Sequence, residues 1–110
     1  MIKYAQLVKG VILGATAGSY YATPTATYAA IHAVSATNTT GAAVTVNLYL
    51  VTSTGTPSVA NRIASRVVPA NATVSIQDAI NHKITPGSQL FADGLGCGLS
   101  VSGVESVPSA

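Results

Sequence analysis

Hydrophobic and polar residues alternate with a period of two wherever the chain is not turning. In "VTVNLYLV", residues 44–51, Val44, Val46, Leu48 and Leu50 fall on one face and Thr45, Asn47 and Tyr49 on the other. That is the pattern of a half-buried strand. "TYAAIHAVSA" alternates less cleanly, setting Ala29, Ile31 and Ala33 against Tyr28, Ala30, His32 and Val34. The intervening "TNTTG" reads as a loop, so these two strands are expected to pair with each other antiparallel. "NRIASRVV" places Ile63, Ser65 and Val67 on one side and Arg62, Ala64 and Arg66 on the other, until Pro69 ends it. "ATVSI" resumes with Val74 and Ile76 inward, and "QDAINHK" is a single helical turn, too short to stand alone. "SQLFA" is a further strand, Asp93-Gly94 a hairpin signal, and "CGLSVSGVE" closes the pattern with Leu99 and Val101 on one face.

With the N-terminal segment counted, about seven strands result, at the spacing of an all-β domain. The expected fold is a two-sheet antiparallel β-sandwich, jelly-roll-like or immunoglobulin-like, with an N-terminal arm. Residues 1–21 are read as that arm or as a first strand, 22–105 as the sandwich, and 106–110 as a flexible C-terminal tail. Lys9 and Gly10 interrupt the apolar part of the N-terminus, so a cleaved signal segment is not expected there. The interface candidates are the apolar residues of this segment that show no clear alternation: Tyr4, Leu7, Val11, Ile12, Tyr20 and Tyr21. As a docking segment it would exchange strands with a partner. Deleting residues 1–20 separates the two readings, since only a core strand is needed for folding.

Composition sharpens this picture. Ala, Thr, Ser, Val and Gly supply 65 of the 110 residues, which suits thin, tightly packed strands. Charged residues are only 7%, so charge gives the surface little protection against association. Such a chain is expected to live inside an assembly, as a homo-oligomer. Its five cationic residues form no run, and direct nucleic-acid binding is not expected. No window has the apolar length of a membrane helix, and no membrane partner is expected.

Candidate chemistry is sparse. Cys97, alone, makes no internal disulfide and sits between two glycines as a small inert thiol. His32 on a strand and His82, four residues after Asp78, lack the clustering of a metal site. "GLGCG" follows a hairpin signal rather than preceding a helix, so a bulge or tight crossing is expected and not a phosphate cradle. No paired carboxylates stand at useful spacing. The expectation is a non-enzymatic protein with no catalytic residue, no metal and no cofactor.

The order "ATNTTGAAVTVNLYLV", "RVVPANATVSI", "PGSQLFADGLGCGLSVSGVE" resembles small virion structural proteins of tailed bacteriophages. The resemblance is carried by the turn Pro69, Ala70, Asn71 and Thr73, by the Pro-Gly turn before Leu90, and by the ending Ser102, Gly103, Val104 and Glu105. It spans roughly residues 25–105. Family members often have an acidic residue after the glycine of the later turn, where this chain has Gly87-Ser88. The resemblance implies a small sandwich, a place in the virion after assembly in the host cytoplasm, and capsid or neck proteins as partners. It points first to a capsid decoration protein, and next to a neck, collar or fibre-anchoring component. A glycan-binding sandwich is the alternative of another class, with Tyr20, Tyr21, Tyr28 and Tyr49 as stacking candidates.

Overall fold

A computed structural model describes residues 2–52 and 54–106. Nine strands run through them, rather than about seven: β1 (Ile2–Ile12), β2 (Gly18–Ala22), β3 (Tyr28–Asn38), β4 (Val44–Val51), β5 (Arg62–Val68), β6 (Ala72–Ser75), β7 (Lys83–Ile84), β8 (Gln89–Asp93) and β9 (Cys97–Ser106). The two additional strands come from the N-terminal segment, which supplies two rather than one, and from the two-residue β7. The expected helical turn is a single 3-10 turn, Gln77–Ala79.

All pairing is antiparallel, in two packed sheets. Sheet I has the order β1-β9-β3-β6, with β7 also on β3, and sheet II has the order β2-β8-β4-β5. The chain therefore folds as one long ribbon: β1 lies on β9, β2 on β8, β3 on β6 and β4 on β5. That ribbon wraps so that β9 meets β3 and β8 meets β4. This winding is a jelly roll, which decides between the two expected topologies.

Two expected pairings are corrected by it. Strands β3 and β4 are not partners, because the loop between them carries the chain from sheet I to sheet II. Asn38 fixes that crossing: fully buried, its Nδ2 donates to the carbonyls of Ala42 (2.7 Å) and Val68 (3.0 Å), and its Oδ1 accepts from Thr40. Likewise Asp93-Gly94 is no hairpin but the step from β8 in sheet II to β9 in sheet I. Gly94 and Gly96 take positive φ there, and a Cβ on Gly94 would stand 2.8 Å from Val46. Of the two forms expected of "GLGCG", a bulge or a tight crossing, the segment takes the second.

The N-terminal segment takes the form of a first strand and not of a detached arm. β1 pairs with β9 from Ile2–Ser106 to Ile12–Gly98, and Leu7, Val8 and Leu13 are core residues. Two bulges interrupt it, at Leu7 and at Gly10, whose φ is +86°. The first puts Leu7 and Val8 inward in succession, which is why the alternation there is unclear. A bulge at His32 shifts the phase of β3 too, here by leaving His32 and Ala33 exposed in succession: Ala29 and Ile31 are buried before it, Val34 and Ala36 after it. At the other end Ser106 completes β9; the remainder of the expected tail, 107–110, lies outside the described residues.

The core between the sheets is aliphatic, built from Leu13, Ile31, Leu48, Ile76, Ile84, Leu90 and Leu99 with valines between them. Among the described residues no helix is long and apolar enough to cross a membrane.

Candidate functional site

The register of the strands separates the six interface candidates into two groups. Leu7 is buried, Val11 and Tyr20 are half-buried against the core, and Tyr21 is half-buried with its hydroxyl bonded. These four are packing residues. Tyr4 and Ile12, by contrast, are 86% and 71% exposed and share the outer face of sheet I.

That face can be read row by row. Tyr4, Val104 and Ala30 line up across β1, β9 and β3; Gln6, Ser102 and Ala33 form the next row, then Lys9, Ser100 and Ser35, then Ile12, Gly98 and Thr37. β6 extends it with Thr73 and Ser75, where the Thr37 and Thr73 hydroxyls lie 3.0 Å apart. The centre of the face is therefore small and uncharged, with Tyr4 and Ile12 standing up from its β1 margin. Tyr28, which reasoning from the sequence did not place among the interface residues, also faces outward here and is 51% exposed. Its outward phase was already legible, because alternation sets Tyr28 and Ala30 against Ala29 and Ile31 before the bulge at His32 is reached.

The charges follow a rule that the linear sequence conceals. Lys3 and Lys9 lie on β1, Arg62 and Arg66 on β5, and Lys83 on β7, so every cationic side chain of the chain sits on a margin strand of a sheet. Charge on an edge strand discourages edge-to-edge pairing with another chain, and the bulges of β1 add to that protection.

Reactive groups are scattered. Cys97 is fully buried opposite Asn38, and burial pushes its thiol upward, away from the reactive thiolate. His32 lies on β3, six residues before Asn38 and so about 20 Å from Cys97 at strand rise. His82 follows the 3-10 turn, and its carbonyl accepts from the Ile31 amide at 3.0 Å. Among the described residues no three metal-ligating side chains gather. On the outer face of sheet II, Asp93 accepts from Asn47 Nδ2 (2.8 Å) and the Tyr49 hydroxyl (3.0 Å). Burial, and then the Asp93 carboxylate, raise the Tyr49 phenol above its ordinary value.

Tyr21 makes the tie between the sheets at one end of the sandwich, its hydroxyl donating to Glu105 Oε2 at 2.5 Å. Burial first, then that bond and the carboxylate charge, hold its phenol well above the usual value of about 10. Below about pH 10 the phenol is protonated in folded and unfolded chains alike, and the tie contributes in full. At higher pH the unfolded chain gives up its proton first, so stability falls as pH rises towards the folded value. Tyr21→Phe is expected to flatten that alkaline decline. Urea midpoints followed from about pH 8 to about pH 11 read it directly; a decline unchanged by the substitution would refute the assignment.

No family model, curated sequence or solved structure matches this chain.

Proposed function

We propose that this chain is a non-enzymatic structural subunit of a tailed-bacteriophage virion, a capsid decoration protein that stabilises the head by bridging shell subunits. The observation that carries the reading is the division of its surface. Cationic side chains occupy sheet margins, while the broad outer face of sheet I is small, uncharged at its centre and set with exposed Tyr4, Ile12 and Tyr28. A surface of that kind supports lateral association, and repetition by symmetry turns modest contacts into a firm lattice.

The residues of the phage resemblance have structural duties consistent with this. Asn71 turns the chain at φ +57°, Gly87 at φ +81° after Pro86, and Glu105 receives the Tyr21 hydroxyl. The glycan-binding alternative is weakened, because Tyr20, Tyr21 and Tyr49 are half-buried and engaged in packing or hydrogen bonds. The deciding experiment is the copy number of the chain in purified particles, by quantitative mass spectrometry against the major shell protein. A simple ratio to that protein is expected. A small ring's worth would move the subunit to the neck or tail, and complete absence would end the virion reading.

A further inference from the structure

Resting on the reading of the chain as an assembly subunit, we propose that the outer face of sheet I docks a second copy of this chain, face to face about a two-fold axis. The margins of both sheets are poor sites for self-association. β1 carries two lysines and two bulges, β5 two arginines, and β2 and β6 offer only five and four residues. What remains is a face. Of the six large hydrophobics that stand well exposed, Tyr4, Ile12 and Tyr28 lie on this one.

The relief of the face offers both projections and hollows. Two depressions indent it, of about 310 Å³ beside Ile12 and about 390 Å³ beside Tyr4. Gly98 and Ser100 lie in the first, Ser102 and His32 in the second. The face thus presents knobs and holes together. A two-fold interface needs the same patch to be complementary to its own copy, and this arrangement supplies both halves. Short central side chains also suit the spacing of about 10 Å between packed sheets.

Size is adequate. β1, β9 and β3, of 10 or 11 residues each, with the short β6 and β7 beside β3, cover about 600 Å² in flat projection. A stable interface takes about 800 Å² from each partner, and the protruding Tyr4 and Ile12 add to the flat figure. Lys9 is the cation within the exposed rows. It lies on the margin strand, so its stem can cover apolar surface while its ammonium reaches water.

Sedimentation equilibrium of the full chain, from roughly 1 µM to 1 mM, tests this. The expected species is a dimer with twice the 11.0 kDa chain mass. Ser100→Arg puts a long cation in the middle of the face and should weaken the dimer roughly a hundredfold. Ser65→Arg, on the exposed outer side of sheet II, should leave it intact. Circular dichroism establishes that each variant is folded, and Ser35→Arg replaces Ser100→Arg if the latter is not. A monomer throughout that range overturns the proposal, whatever else the face then binds; so does a dimer that the central arginine leaves unchanged. Particle copy number reads the virion assignment separately. A dimer absent from particles would retire the virion reading alone, and a monomer present in them would retire the dimer alone.

Discussion

A chain lacking residues 1–13 is expected not to fold. The deletion removes Leu7, Val8 and Leu13, each exposed by no more than 6%. Burying a side chain of that size contributes about 1.5–3 kcal/mol, and small domains have only about 5–15 kcal/mol of net stability. It also strips β9 of one of its two partners along almost its full length and leaves the Cys97 carbonyl without the Leu13 amide, now 2.8 Å away. A central strand becomes an open edge with apolar side chains beneath it, which favours aggregation over a smaller native state. Far-UV circular dichroism and a urea melt suffice as measurements. Loss of the cooperative transition is expected, as is its recovery on adding a synthetic peptide of residues 1–13. A truncated chain that melts cooperatively near the parent midpoint would show instead that β1 is an ornament.

That outcome bears on how much could be read before the structure. Period-two alternation found the strands well, because alternate burial is a local property of a pleated chain. β4 is the clearest case over its first half, with Val46 and Leu48 buried, Thr45 exposed and Asn47 half-buried, although at its end Val51 is buried and Leu50 only half-buried. Alternation says nothing about which strands become neighbours. In this jelly roll most successive strands belong to opposite sheets, so the loop after β3 and the step at Asp93-Gly94 resembled hairpins while acting as crossings. Bulges also hid the surface. Because Leu7 and His32 each occupy an extra position, the inward phase shifts by one residue in β1 and β3. The six apolar candidates near the N-terminus were consequently a mixture, with Tyr4 and Ile12 at the surface and Leu7 in the core. The dispersal of the five cations, unremarkable in the linear sequence, acquires meaning only when the strand order reveals margins.

Gly103→Ala is expected to be the most damaging single substitution among the residues that carry the phage resemblance. Gly103 lies opposite Ile31, directly beside the bulge at His32. There the β3 backbone presses so close that an ideal Cβ on Gly103 would stand 2.0 Å from the Ala30 carbonyl oxygen and 3.2 Å from Leu7 Cδ1. Real carbon–oxygen contacts do not approach that distance, and the obstacle is backbone rather than a side chain able to turn aside. Relief requires β3 or β9 to move, which would disturb the bulge, the row from Tyr4 to Ala30 and the burial of Leu7 together. A cost of about 3 kcal/mol follows from overpacking of this kind. Ser102→Ala, one residue away on the outer face, supplies the control, because its side chain is exposed and should cost less than about 0.5 kcal/mol. Paired urea titrations separate the two. If both variants unfolded at the same denaturant concentration, the close approach of β3 to β9 would be wrong, and with it the register that places Tyr4, Ile12 and Tyr28 on one face.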